Sequence, residues 1–174
     1  MDSGSISRLP VTPLPSSASR RLAAVGRDPI NLHRALAHAP ALLAPVLDLI
    51  HALRFDATVS RSLRELMICR IGQLEGSEYE LAHHLPMAEE SGLDAEQVAS
   101  IAEWQRAGCF SEPQRAVLGY AEHLGAGAER DDEALDKCFG PVEQTELTVT
   151  GATYIALARM LRALDVRIDE PLLR

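Results

Sequence analysis

Hydrophobic residues recur every three to four positions along most of the chain, which is the period of an amphipathic α-helix. In the segment between Ser60 and Gly76, the apolar side chains fall on a single stripe: Leu63, Leu66, Met67, Ile71 and Leu74. No segment shows the sustained alternation of apolar and polar residues that is typical of a half-buried strand. The pattern therefore predicts an all-α protein.

Helix start and stop signals divide this pattern into separate elements. Ser60 is suited to cap the helix that carries the stripe, and Gly92 is suited to end the next one. Capping boxes that begin at Asp94 and Ser111 predict two more helix starts. Further helices are expected at residues 31–39, 40–55, 131–139 and 141–166.

Residues 1–27 lack this periodicity and are rich in serine and proline. A segment of this composition has little apolar surface to bury, so we expect a flexible or draped N-terminal tail outside the core. The helical domain is expected to comprise residues 28–174. A chain of 174 residues corresponds to about one domain.

Composition and charge narrow the classes of function. The chain is 47% hydrophobic, yet it contains no uninterrupted apolar run of the roughly 18 residues that a membrane span needs. Its N-terminus lacks the order of a secretory signal, so we expect a soluble, cytoplasmic protein with no membrane partner. The net charge of -8 disfavours a nucleic-acid partner, because an acidic surface repels phosphate groups.

Three cysteines, Cys69, Cys109 and Cys138, lie far apart in the sequence. Their number is odd and they form no C-x-x-C motif, which argues against a disulfide framework and against a zinc knuckle. We expect three reduced thiols that are mostly buried.

The segment EGSEYELAHHLPMAEESG, residues 75–92, concentrates polar side chains in an otherwise helical stretch. At about 100° per residue, Ser77, Glu80 and His84 project from one helix face, while Tyr79 and His83 lie on a neighbouring face. Glu80 and His84 are four residues apart, within reach of a carboxylate–imidazole hydrogen bond. Such pairs are also common on solvated helix faces, so spacing alone leaves a structural role open.

Glu65 lies close to the edge of the apolar stripe on the preceding helix. A carboxylate near a core needs a polar partner, and His84 is the candidate on the next helix. Surface pairing with Arg61, Arg64 or Arg70 is the alternative.

The segment LRELMICRIGQLEGSEYELAHHLPMAEESGLDAEQVASI resembles the carboxymuconolactone decarboxylase family, which also contains the alkylhydroperoxidase AhpD group. The segments NLHRALAHAPALLAPVLDL and TGATYIALARMLRALDV are similar to the flanking helices of family members, so the resemblance covers residues 30–167. It implies an AhpD-like domain of about seven helices that assembles as a homo-oligomer, a trimer or a hexamer.

Redox members of this family carry a glutamate, eleven intervening residues and then C-x-x-C-x-x-x-H. The matching positions in this chain are Glu65, Ser77, Glu80 and His84, so the spacing fits but both thiols are missing. Peroxide reduction needs an attacking thiolate and a resolving thiol, which serine and glutamate do not supply. Cys69 has no resolving partner and is expected to be a core residue.

The remaining set, Glu65, Tyr79, Glu80 and His84, resembles the E-Y-E-x-x-x-H branch of carboxymuconolactone decarboxylase-like proteins. It implies acid–base chemistry without a cofactor on a small-molecule substrate, with decarboxylation of a carboxylated lactone favoured over isomerisation or hydrolysis. His84 would donate a proton, and Glu80 or Glu65 would orient the imidazole and exchange its proton. Ser77 or Tyr79 would donate a hydrogen bond to the developing oxyanion.

Two other interpretations are open at the level of sequence. Glu65, Glu80 and His84 could together bind a divalent metal such as Zn²⁺ or Mn²⁺. A non-catalytic, oligomeric binding protein is also compatible, because a fold does not determine a function.

Overall fold

The computed structural model describes residues 6–172, apart from the side chain of Pro171. These residues contain nine α-helices and no strand, which confirms the all-α prediction but exceeds the expected count of about seven. The helices are α1 Ser16–Ala24, α2 Asn31–Leu36, α3 Pro40–Phe55, α4 Arg61–Leu74, α5 Glu78–Glu90, α6 Ala95–Ser100, α7 Glu112–Ala126, α8 Asp132–Cys138 and α9 Pro141–Ala163. In this part of the chain, none of the helices has the length and apolar character required to cross a membrane.

The helices belong to two compact units. The first contains the described residues up to Asp56 together with those from Met160 onward, and the second is Ala57–Arg159. All the candidate site residues lie in the second unit, so the site can be described within that unit alone.

Helix α1 lies in the segment that was expected to be a flexible tail. Its Ala18 and Leu22 are buried and share a hydrophobic cluster with Leu43 and Leu47 of α3. For these nine residues the structure differs from the expectation, because two apolar side chains one helical turn apart are enough to attach a short helix. The serine- and proline-rich composition of residues 1–27 gives no indication of this four-residue spacing between Ala18 and Leu22. Residues 1–5 of the expected tail lie outside the described residues, and a domain start at residue 28 stays a prediction.

Helices α4 and α5 form a hairpin, and a serine caps the N-terminus of each helix. The Ser60 hydroxyl accepts a hydrogen bond from the Leu63 amide at 3.4 Å and begins α4. Gly76 follows α4 with a φ of 60°, the left-handed conformation that glycine adopts without steric cost. The Ser77 hydroxyl then accepts a hydrogen bond from the Glu80 amide at 3.4 Å and begins α5. The chain thus reverses direction within a few residues, which brings α5 back against α4.

Two glycines allow the helices of the second unit to approach closely. A Cβ atom at Gly72 of α4 would lie 3.1 Å from Cδ2 of Leu81 on α5. A Cβ atom at Gly151 of α9 would lie 2.5 Å from Cδ1 of Leu124 on α7 and 3.3 Å from Cδ1 of Ile71 on α4. Helix α4 is therefore packed against α5, α7 and α9, and a side chain on its inner face contacts other helices rather than solvent.

Candidate active site

His84 lies between two buried carboxylates. Its Nδ1 is 2.7 Å from Oε2 of Glu65 on α4, and its Nε2 is 3.4 Å from Oε2 of Glu80, one turn earlier on α5. Each of the three residues exposes 5% of its surface or less. The structure thus brings together the three charged residues that the sequence singled out, and both imidazole nitrogens face a carboxylate.

The local helix geometry explains this convergence. Glu65, Cys69 and Gly72 occupy positions i, i+4 and i+7 of α4, so they share one helix face. A Cβ atom at Gly72 would lie 3.6 Å from Cβ of Glu80, which shows that this face of α4 is turned towards α5. Glu65 is therefore directed at the face of α5 that carries Glu80 and His84.

The two carboxyl groups have different electrostatic surroundings. Burial raises the pKa of Glu80; the nearby His84 and His83 oppose this shift and the negative charge of Glu65 adds to it. Glu65 instead has a cation beside it, because Nε of Arg61 lies 3.8 Å from its Oε1. Nδ1 of His84 thus contacts the carboxyl group that has Arg61 beside it, and Nε2 faces the carboxyl group whose pKa is raised by burial.

Cys69 is completely buried beside these carboxylates. Burial raises the pKa of its thiol, and the neighbouring carboxyl groups of Glu65 and Glu80 raise it further. A thiol in such surroundings stays protonated and is a poor nucleophile. All three cysteines are free, as expected, but Cys109 and Cys138 are only partly buried.

The two predicted hydrogen-bond donors, Ser77 and Tyr79, are placed differently from the charged residues. Ser77 is the N-cap residue of α5 and its hydroxyl accepts from the Glu80 amide, so it has a structural role at the start of the site helix. The Tyr79 ring packs against His83, with 4.7 Å between ring centroids. Tyr79 therefore lies on the face of α5 next to the one that carries His84.

Tyr154 of α9 is a site residue that the sequence analysis missed. Its ring meets the His84 imidazole edge to face, with 5.0 Å between centroids and 87° between planes. The contact depends on the packing of α9, which lies far away in sequence, so no local spacing indicates it. Tyr154 covers the imidazole from a third helix.

Residues that bind one metal ion must direct their ligand atoms at a single point. Glu65, Glu80 and His84 do not do so. Glu65 and Glu80 face different ring nitrogens of His84, and the lone pairs of these nitrogens diverge. One ion cannot therefore take ligands from all three residues in this arrangement. Throughout residues 6–172, no group of three or more His, Cys, Asp or Glu side chains is arranged to hold a metal ion. The arrangement suits proton transfer between neighbours.

Solved structures share this fold. A protein from Ralstonia eutropha JMP134, described as an alkylhydroperoxidase AhpD core and an uncharacterized peroxidase-related protein, has a TM-score of 0.80 and 22% identity over 98% of this chain and 96% of that chain. An uncharacterized peroxidase-related protein from Silicibacter sp. TM1040 has a TM-score of 0.80 and 16% identity over 99% of this chain and 97% of that chain. The fold is therefore AhpD-like.

A third solved structure is that of the debrominase Bmp8, as a cysteine-to-alanine variant in complex with 2,3,4-tribromopyrrole. It has a TM-score of 0.77 and 21% identity over 99% of this chain and 96% of that chain. At these levels of identity the likeness establishes the fold, and the chemistry has to be argued from the residues of this chain.

The model of the carboxymuconolactone decarboxylase family matches residues 40–123, a segment that contains Glu65, Glu80 and His84. Over this segment the chain is similar to the family, in agreement with the resemblance inferred from its motif. None of the curated protein sequences matches the chain.

Proposed function

We propose that this chain is a carboxymuconolactone decarboxylase-like enzyme that performs acid–base chemistry, without a cofactor, on a small carboxylated lactone or a related carbonyl compound. The observation that carries the proposal is the position of His84 between Glu65 and Glu80. A buried carboxyl group with a raised pKa is suited to act as an acid beside an imidazole. In this proposal Glu80 is the acid, and the carboxylate of Glu65 accepts from Nδ1–H of His84 and orients the imidazole.

In the proposed decarboxylation, the bond between the substrate carbon and its carboxylate breaks and CO₂ leaves. In a lactone whose carboxylated carbon is α to the carbonyl, or conjugated with it through a double bond, the bonding electron pair passes into the carbonyl and forms an enolate or dienolate, so no external electron acceptor is needed. The proton shared by Glu80 and His84 Nε2 is then delivered to the substrate carbon. Solvent returns a proton to the pair after the product leaves, which restores the enzyme.

The same groups would support isomerisation or hydrolysis of a lactone, since both reactions need a proton donor beside a carbonyl group. Similarity to the carboxymuconolactone decarboxylase family favours decarboxylation among the three. The tribromopyrrole bound to the debrominase Bmp8 supports a small cyclic compound as the class of ligand that this fold accepts.

A route that depends on a thiol is not favoured in this chain. Ser77 and Glu80 occupy the two positions where redox members carry cysteine, and Ser77 caps a helix. Cys69 lies close to the site, but burial and two carboxylates raise the pKa of its thiol. Cys69 is therefore poorly suited to supply an attacking thiolate.

A non-catalytic, oligomeric binding protein is the second candidate, and the burial of the charged residues favours it. Glu65, Glu80 and His84 are all nearly inaccessible to solvent. A hydrogen-bonded network of this kind would also stabilise the packing of α4 against α5 without any reaction.

Turnover by a histidine variant separates the two candidates. Wild-type protein is expected to release CO₂ from carboxylated γ-lactones, and His84→Ala is expected to be slower by about 10²–10⁴-fold, the range of a positioned proton-transfer group. His123→Ala is the matched control, because Nδ1 of His123 contacts the Ala128 carbonyl and no site residue. Equal rates for wild type and His84→Ala would contradict the enzyme proposal. A wild-type protein that neither turns over nor is stabilised by such lactones would favour the binding protein.

A further inference from the structure

Thr150 of α9 is a buried polar residue whose hydroxyl has no hydrogen-bond partner among the described residues. It exposes 1% of its surface, and its Oγ1 makes no hydrogen bond with any described residue. Two other threonines of α9 behave as threonines inside helices commonly do: Thr145 donates to the Pro141 carbonyl at 2.8 Å, and Thr148 donates to the Gln144 carbonyl at 2.6 Å. Burying an unpaired hydroxyl costs free energy, so this exception requires a reason.

Thr150 lies one helical turn from Tyr154, the residue of α9 that contacts His84. Thr150 and Tyr154 are four residues apart on α9, so their Cβ atoms are separated by about 5–6 Å. The Tyr154 ring is the one that packs against the His84 imidazole. Both residues are buried, and they share the face of α9 that is turned into the second unit. The unpaired hydroxyl is thus one helical turn from the residue that covers the imidazole.

We propose that the Thr150 hydroxyl donates a hydrogen bond to a carboxylate or carbonyl oxygen of the bound substrate. This inference rests on the proposed function and adds a substrate-binding residue to it. A carboxylated lactone has acceptor oxygens on both of its functional groups, and an ionised acceptor forms a stronger hydrogen bond than a neutral one. A donor fixed on α9 would orient the lactone relative to His84, which is fixed on α5.

The first test measures the ligand-free protein and needs no substrate. Thr150→Val replaces the hydroxyl with a methyl group of similar size, so the melting temperature is expected to stay unchanged or rise. Thr148→Val is the matched control on the same helix. It removes the hydroxyl that contacts the Gln144 carbonyl and Tyr120 Oη, so its melting temperature is expected to fall. If Thr150→Val lowers the melting temperature as much as Thr148→Val does, the Thr150 hydroxyl is hydrogen-bonded within the protein and the inference is wrong.

The second test measures binding of 5-oxotetrahydrofuran-2-carboxylate, a small carboxylated γ-lactone, by calorimetry. Thr150→Val is expected to raise the dissociation constant about tenfold, which corresponds to the loss of one hydrogen bond. Thr150→Ser keeps the hydroxyl and is expected to bind the probe with nearly the affinity of wild type. Equal affinity of wild type and Thr150→Val would overturn this inference while leaving a His84-dependent turnover intact. A wild-type protein that does not bind the probe would overturn the proposed substrate class, and this inference with it.

Discussion

Nδ1 of His84 lies 2.7 Å from a carboxylate oxygen of Glu65, a residue 19 positions earlier on a different helix. The contact forms only when α4 and α5 are packed together, so the folded hairpin is what brings the imidazole and this carboxyl group within hydrogen-bond distance. A hydrogen bond to an ionised carboxylate is roughly twice as strong as a neutral one. Under the proposed function, Glu65 accepts from Nδ1–H of His84, and Nε2 is the nitrogen that exchanges protons with Glu80.

Replacing Glu65 with glutamine tests this tautomer directly. The amide keeps the size of the side chain but removes the negative charge that holds the Nδ1–H form. We expect turnover to fall by about 10²-fold or more, the scale of a positioned proton-transfer group. Nitrogen NMR of labelled histidine should show that the protonated nitrogen is no longer fixed at Nδ1. An unchanged His84 spectrum in Glu65→Gln would show that other contacts determine the tautomer.

The raised pKa of Glu80 predicts how stability depends on pH. The folded protein keeps this proton at pH values where the unfolded chain has lost it, so stability falls as pH rises from the ordinary glutamate pKa, about 4.3, towards the raised value. Glu80→Gln removes this titration, and its free energy of unfolding should decline less than that of wild type across the same interval. Urea unfolding at a series of pH values measures both curves. Parallel curves would show that Glu80 titrates normally in the folded protein.

The same variant tests catalysis. The glutamine amide can still form a hydrogen bond with His84, but it cannot deliver a proton. Turnover of Glu80→Gln should therefore be impaired, and the pH–rate profile should shift, because the variant lacks the carboxyl group that supplies the proton in the proposed reaction. A rate profile identical to that of wild type would place the acid elsewhere.

Cysteine substitution distinguishes acid–base chemistry from thiol chemistry. A protein in which Cys69, Cys109 and Cys138 are all changed to alanine should keep its turnover, with a loss of stability of about 1 kcal/mol or more from the cavity at the fully buried Cys69. In the native wild-type protein, a thiol-specific reagent should modify Cys69 only after unfolding. A cysteine-free protein that folds but is inactive, together with an active His84→Ala, would show that a thiol carries the reaction.

Assembly into a trimer or a hexamer, which the family resemblance implied, stays a prediction. Val142 and Val149 are seven residues apart on α9 and expose 62% and 38% of their surfaces, so one face of this helix presents apolar groups to solvent. We expect light scattering at micromolar concentration to give the mass of an oligomer, and Val142→Lys with Val149→Lys to shift it towards smaller species. A monomeric wild-type protein would contradict the prediction.

The sequence predicted those features that depend on local spacing. The capping box of Asp94 and Gln97 forms with hydrogen bonds of 2.8 and 3.1 Å, and the pairing of Glu80 with His84 follows from one helical turn. The approach of Glu65 was also foreseen, because a carboxylate at the edge of an apolar stripe needs a partner. Tyr154 could not be foreseen, since its contact with His84 depends on how α9 packs in three dimensions.

Ser77 stands where redox relatives carry their first cysteine, and here its side chain begins helix α5. A change of Ser77 to cysteine would remove this cap, at a cost of about 1 kcal/mol in stability. A change of Glu80 to cysteine, which restores the second thiol, would remove one of the two carboxylates beside His84. Each single step towards a thiol pair at these two positions would therefore remove either the N-cap of α5 or one of the carboxyl groups beside His84, so two cysteines could be installed here only at the expense of both features.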